Sequence, residues 1–544
     1  MGNKPVLLQA MNKSWRIGLV LGGISLVAVA CFAFVIAQRG RVVSPESTQG
    51  SKGQNQVTVS SGPDLQTAMR NAKPGDTIIL QAGVTFVGPV ILSNKTGGGA
   101  SDGDYITLRT SNMSGISPQG ERVEPGRHAQ AMPKIVASDG QAAITTEAGA
   151  HHFRFIGIEF APANSARYVY NVIDLGKSDY TSASQSPHHI VFDRCYVHST
   201  GLNKTRRGIA LNSAETTISN SYVSGFAGDS DETQAIAGWN GQGPFHIINN
   251  YLEAGAEIVL FGGADPSIPN LVPSDIEIRR NHLYRPSAWV GKATIKGNFE
   301  LKNARRVVVD GNVIDSPIRQ TAFVLTVRNQ DGKAPWSTLE DVEITNNLVQ
   351  HASTGFNILG SDTYHPSQTA SRIHIANNLL TDILSPGDIA YFLQINAGDG
   401  ITVEHNTVHQ AGNIVSSERA ASRFSFRNNI VQYNLYGMAC FISGSVCQNN
   451  MACHCFPDAV IKGNVIADNA GVSTSYSIER NFPEGNFFIA SFEQVGFVNH
   501  LHDDWRLTPN SKVRGRATDG KDPGVDFVAF EASGVRRTVL ASEK

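Results

Sequence analysis

The sequence predicts an all-β fold: a single right-handed parallel β-helix, a solenoid with an N-terminal helical cap and a C-terminal closing tail. Three observations predict it. A short strand-and-asparagine unit recurs through the middle of the chain, no 3.6-residue apolar period lies between its copies, and the composition favours turns. Of 544 residues, 52 are glycine and only 8% are aromatic, which suits tight turns and strand edges better than a helical bundle. Length alone would suggest several globular domains. The repeat overturns that count.

Taken from the N-terminus, Lys4, Lys13 and Arg16 precede the apolar run Ile17 to Ala37, so residues 1–37 read as a signal peptide or a membrane anchor. The run is long enough to span a bilayer, and Val35 and Ala37 offer small residues for a signal peptidase, so cleavage and retention both stay open. Cys31 sits in a faint lipoprotein-like box that has Ala28 where Leu is usual. Residues 38–59, with Ser, Gly and Gln, form a linker. Next, Asp64 to Ala72 reads as a short helix ended by Lys73-Pro74-Gly75-Asp76, followed by the strand Thr77 to Leu80. Such a cap shields the open end of a solenoid core.

The repeat occupies 60–490. Its unit is an alternating apolar strand, a polar corner with Asn, and an apolar pair or triplet. Copies include IINNYL (Ile247 to Leu252), IRRNHL (Ile278 to Leu283), VDGNVI (Val309 to Ile314), ITNNLV (Ile344 to Val349), IANNLL (Ile375 to Leu380), VEHNTV (Val403 to Val408), FRNNIV (Phe426 to Val431) and IKGNVI (Ile461 to Ile466). The corner asparagines fall at 250, 281, 312, 347, 378, 406, 429 and 464, at intervals of 23 to 35 residues. A coil of this size cannot bury its inward face alone, so coils stack in parallel and pair their backbones with the coils above and below. Asn suits the corner because it tolerates a left-handed backbone and its amide bonds to the Asn of the next coil. Residues 491–544 form the tail.

Net charge is −2 and basic residues are spread along the chain, which excludes a nucleic-acid footprint. A monomer is expected. Cys195 stands alone, whereas Cys440, Cys447, Cys453 and Cys455 cluster and read as two local disulfides of undetermined pairing. A metal knuckle with His454 is the competing reading, although its spacing fits zinc poorly.

The segment DLQTAMRNAKPGDTIIL, the serial Asn corners and the tail DWRLTPNSKVRGRATDGKDPGVDF together resemble exported bacterial right-handed parallel β-helix proteins of the pectin-lyase-like superfamily. The likeness covers residues 60–530. Two longer stretches, 235–286 and 298–314, resemble a poorly characterised branch of it.

After each Asn corner a second strand is visible, as in Glu257 to Phe261, Phe299 to Lys302, Phe323 to Asn329, Phe356 to Gly360 and Phe392 to Asn396. Alternation turns Leu301, Leu325, Val327, Ile358 and Ile395 inward. Glu300, Lys302, Thr326, Arg328, Asn357, Gln394 and Asn396 then face outward as a polar stripe suited to an extended carbohydrate. Trp239, Trp289 and Trp336 either stack on sugars or pack loops onto the wall.

For lyases of the superfamily, the resemblance implies a carboxylate, often calcium-neutralised, and a Lys or Arg that removes the proton alpha to a uronate carboxyl. Lys302, Arg328 and Glu300 are the catalytic candidates on that basis, and Trp239, Trp336, Asn357, Gln394 and Asn396 the substrate-binding ones. Glu253, Glu257 and Asp265, with Glu300, offer hard oxygens for Ca2+. The competing reading pairs Glu300 and Lys302 with neighbours on a solvated wall. Asp229, Asp231 and Glu232 are candidates for hydrolysis, or simply a turn. His351, His365, His405 and His409 read as surface histidines. The functional expectation is a secreted, periplasmic or surface polysaccharide lyase, with a glycoside hydrolase or a non-catalytic binding solenoid as alternatives.

Overall fold

A computed structural model describes residues 55–95, 104–385, 390–434, 436–442, 454–468 and 482–535. The export segment, most of the linker, Cys447 and Cys453 lie outside these residues. Among the described residues no helix is long and apolar enough to cross a membrane.

A complete coil contributes one strand to each of three parallel sheets, which among the described residues have 14, 14 and 12 strands. In one coil these are Phe245–Ile248, Tyr251–Ala254 and Glu257–Phe261, followed by a loop to Ser274–Arg279, which lies beside the first of them. The apolar triplet after each Asn is thus a strand in its own right. Two strands per coil were apparent from pattern and a third was hidden in the corner, because a three-residue strand shows little alternation. Sheet one runs from Gln56–Val59 to Val460–Lys462. The solenoid therefore starts inside the stretch expected to be linker, since Gln56 to Val59 already pair with Thr77 to Leu80.

Strand alternation fills the interior. Ile276 and Ile278, Leu283, and Phe299 and Leu301 each point into one continuous apolar core. Phe299, Phe323, Phe356 and Phe392 form an axial column with ring centroids 5.8, 4.7 and 6.0 Å apart. The helix Gly62–Asn71 closes the N-terminal end, with Ser61 capping it and Leu65 and Met69 buried against the first coil. At the other end Cys440 and Cys455 are bridged, one disulfide of the two expected.

The corner divides its work between neighbouring residues. The first takes the left-handed backbone (Asn249 φ 56°, Arg280 φ 53°, Gly311 φ 66°, Asn346 φ 56°), a conformation Asn and Gly reach at least cost. The second is a fully buried Asn that hands its amide to the next coil. Asn250 Nδ2 donates to Asn281 Oδ1 at 3.0 Å, Asn281 to Asn312 at 3.1 Å, Asn312 to Asn347 at 2.9 Å, and so on through Asn378, Asn406, Asn429 and Asn464 to Asn486. Each Oδ1 also accepts the backbone N–H of the preceding Asn, as from Asn281 N to Asn312 Oδ1 at 2.9 Å. Each Nδ2 also donates to a carbonyl of the preceding coil, as Asn312 does to Ile278 at 2.8 Å. The buried polar column is thereby saturated.

The tail does not close the end of the solenoid as expected. It folds back along the side. Thr518 N donates to Asn428 Oδ1, Val525 N to Thr407 Oγ1 and Asp526 N to Asn377 Oδ1, so the tail passes coil after coil toward the N-terminus. Outward residues of sheet two, Val313, Leu379, Ile430 and Val465, are apolar and pack with Phe497, Trp505, Val513 and Phe530 in a second core. His409, expected at the surface, packs against Phe492 and Trp505 at 5.3 and 5.8 Å. A strap follows from the apolar outer row of sheet two, which otherwise faces water.

Asn312→Ala should lower unfolding free energy in denaturant by about 3 kcal/mol, because it orphans the buried N–H and Nδ2–H of Asn281 and the carbonyl of Ile278. A loss below about 0.5 kcal/mol, the range of an ordinary surface change, would show that the ladder does not stabilise the stack.

Candidate functional site

On the outer face of sheet three, three successive strands place Arg207, Gln234 and Glu257 in register. Arg207 Nε donates to Gln234 Oε1 at 2.8 Å, and Gln234 Nε2 donates to Glu257 Oε2 at 2.8 Å. Glu257 is fully buried, and no N–H or hydroxyl reaches its Oε1. Its cation is Lys296, with Nζ at 3.9 Å, which also pairs with Glu232. One coil further Glu300, 7% exposed, lies against the Glu257 carboxyl and pairs with Lys302 (Oε1 to Nζ 3.5 Å). Burial pushes Glu300 well above the usual carboxylate range, Lys302 pulls the other way, and the adjoining Glu257 carboxyl raises it further. At the other end of the line Arg207 lies under the Trp239 and Tyr170 rings, 4.9 and 5.2 Å from their centroids. The result is a nearly dry row of charge running along the solenoid axis.

The expected site residues distribute around this row unevenly. Lys302 and Arg328 are on adjacent coils, joined by the Arg328 N to Lys302 O bond of 2.9 Å. Their side chains engage different carboxylates, since Arg328 pairs with Asp362 at 3.5 Å and lies over Tyr364. Asn357 and Gln394 share the outward row of Glu300, but Val324 lies between Glu300 and Asn357, and Leu260 precedes Glu300. The stripe is therefore interrupted rather than continuous. Asn396 Oδ1 accepts from Glu418 N at 2.8 Å and shapes a turn. Trp336 donates from Nε1 to Leu271 O at 3.0 Å, which ties it to the 262–273 loop as a packing residue.

The carboxylates expected to hold calcium do not all assemble. Asp265 accepts the backbone N–H groups of Gln330, Asp331 and Lys333 at 2.6, 2.9 and 2.9 Å, so its oxygens clamp a neighbouring loop. Glu253 belongs to sheet two, among Tyr222, Tyr251 and Tyr284, and accepts from Gly225 N at 3.2 Å. Only Glu257 and Glu300 converge. Of the hydrolysis candidates, Asp231 accepts from Tyr168 Oη at 2.6 Å and Asp229 from Asn203 Nδ2 at 2.9 Å, whereas Glu232 joins the row through Lys296.

Arg207, Gln234 and Lys296 were not singled out from sequence. Gln234 is the signal that was available, a lone polar residue opening the otherwise apolar strand Gln234–Gly238. Lys296 comes from an irregular loop whose position no periodicity reveals.

The same fold occurs in solved structures. A mannuronic-acid-specific polysaccharide lyase of family 6 from human gut microbiota aligns with TM-score 0.53 and 14% identity over 80% of this chain and 91% of its own. The family 6 alginate lyase AlyGC aligns with TM-score 0.51 and 13% identity over 87% of this chain and 57% of its own. No family model matches the chain, and no curated protein sequence does. At these identities the shared property is the fold alone, a right-handed parallel β-helix.

Burial raises Glu253 from the ordinary 4.5 to about 7, so the folded protein binds this proton more tightly than the unfolded chain. The associated stability is present below pH 4.5 and is lost as pH rises through about 7. Glu253→Gln does not titrate. Between pH 4.5 and 8, its unfolding free energy should therefore gain about 3 kcal/mol relative to the parent. A difference between the two proteins that stays constant across that range would contradict the assignment.

Proposed function

We propose that this protein is an extracytoplasmic carbohydrate-active enzyme that cleaves an acidic, uronate-containing polysaccharide by β-elimination on the outer wall of sheet three. The observation that supports this reading is the largely buried row Arg207, Gln234, Glu257, Glu300 and Lys302, polar and charged groups that follow one another along the axis on successive coils. A repeated wall of this kind addresses successive sugars of one chain. The Cys440–Cys455 bridge accords with an oxidising compartment, as does the apolar leader.

Elimination requires a base for the proton alpha to the uronate carboxyl. As that proton leaves, its electron pair forms the new double bond, the glycosidic C–O bond at the β-carbon breaks, and the departing oxygen takes up a proton. Cationic groups beside the uronate carboxyl stabilise the enolate-like charge. Lys302, acting as the neutral amine, is the base in this reading, and Arg328 on the next coil provides fixed positive charge. Arg207 and the Trp239 ring bind the flanking sugar. Glu257 and Glu300 offer carboxylate oxygens, hard ligands of the kind Ca2+ takes, and Glu257 Oε1 accepts no hydrogen bond. When bound, the ion would neutralise the substrate carboxylate.

Hydrolysis is disfavoured by the same geometry. A glycosidase needs two carboxyls facing the sugar, whereas the hydrolysis candidates Asp229 and Asp231 are engaged by Asn203 and Tyr168.

Incubated with a panel of polyuronates, with calcium or with chelator, the protein should release products bearing the ultraviolet absorbance of unsaturated ends. Lys302→Ala and Arg328→Ala should each lower that rate at least about 100-fold. Products without the absorbance would replace elimination by hydrolysis. Glycan retention without any product would make the wall a binding surface. Full activity in either variant would remove that residue from the mechanism.

A further inference from the structure

Sheet one carries a second constellation, remote in kind from the carboxylate row. The strands His151–Ile156 and His188–Asp193 each begin with two histidines, and register places His188 beside His151. In a regular strand adjacent side chains leave opposite faces. Here His152 and His189 have φ of 59° and 53°, which turns each back toward its neighbour. Nδ1 of His151 is 2.8 Å from Nδ1 of His152, and the same atoms of His188 and His189 are 2.7 Å apart. Across the coils His151 stacks on His188 with centroids 5.1 Å apart, and His152 on His189 at 4.3 Å. Further along the same corner column Arg306 bonds Asp275 and Arg372 bonds Asp341. Imidazoles take the place of those ion pairs.

Hydrogen bonding sets the lone pairs. Glu215, one coil on, receives the Nε2–H of His189 at 2.5 Å, so Nδ1 of His189 carries a lone pair. His188 must then donate from Nδ1, which leaves its own Nε2 as a lone pair. A carboxylate behind an imidazole is the usual support of a histidine metal ligand. One ligand nitrogen from each of His152, His188 and His189 lies within 4.8 Å of the others, the only such trio of His, Cys, Asp or Glu among the described residues. In a tetrahedral zinc site those nitrogens stand about 3.3 Å apart, so ligation requires the rings to turn and the Nδ1 contact between His188 and His189 to open.

We propose that His152, His188 and His189, oriented by Glu215 and flanked by His151, form a site for a transition-metal dication of the Zn2+ class that joins two adjacent coils. The nitrogen ligand set selects against Ca2+. The site is separate from the polysaccharide wall, so it stands whether or not the lyase reading does.

The test uses untagged, chelator-stripped protein. Calorimetric titration should show one Zn2+ per chain, undisturbed by excess Ca2+, and Co2+ should give the visible bands of a tetrahedral site. His152→Asn and His189→Asn keep a residue that tolerates the left-handed backbone, and each should weaken binding about 100-fold or more. No uptake by the parent protein, or unchanged affinity in both variants, overturns the proposal. If a variant fails to fold, Cu2+ bound to the parent decides through its electron paramagnetic resonance: nitrogen splitting from three or more imidazoles supports the site, and its absence overturns it.

Discussion

Stacked coils of a parallel β-helix satisfy their backbones only in register with one another, and the buried asparagine column is what holds that register at the corner. A strand of three residues, such as His282–Tyr284, makes too few bonds to resist slippage by itself. The Asn beside it supplies further bonds to both neighbouring coils and has no apolar substitute of matching shape and hydrogen bonding. Every outward residue therefore has a defined neighbour on the next coil. The charged row of sheet three and the histidines of sheet one both depend on that alignment, because each is assembled from residues a whole coil apart in sequence.

Much of the architecture was legible because the constraint repeats. Serial Asn corners, strand alternation and the short helix before Lys73 each express one physical requirement that recurs or marks an end. Sheet two was obscured because its strands are too short to alternate visibly. The path of the tail is not legible, since its sequence shows no partner. What reveals its path is the apolar outer row Val313, Leu379, Ile430 and Val465, whose members are scattered over as many coils.

The site was less legible than the fold. Alternation correctly put Glu300, Lys302 and Arg328 outward on neighbouring coils, and Glu257 proved to adjoin Glu300. Grouping by residue type failed for Asp265, which satisfies three amides of a loop, and for Glu253, which faces a different side of the solenoid. Side-chain chemistry alone does not say which sheet a carboxylate belongs to. Two His-His doublets a coil apart were also visible in the sequence. Their meaning depends on a positive φ that turns adjacent side chains to one side, which no pattern of residue types announces.

The two constellations differ as oxygen and nitrogen chemistry differ. Sheet three gathers carboxylates with lysines and arginines; sheet one gathers imidazoles around a single carboxylate. The most direct measurement of the central claim is amide hydrogen exchange with and without a polyuronate oligosaccharide. Substrate on the sheet-three wall should protect the loops that border it, 239–243, 262–273 and 329–337, and leave the strand starts of sheet one unchanged. Protection confined to sheet one or sheet two, or absent throughout, would contradict it.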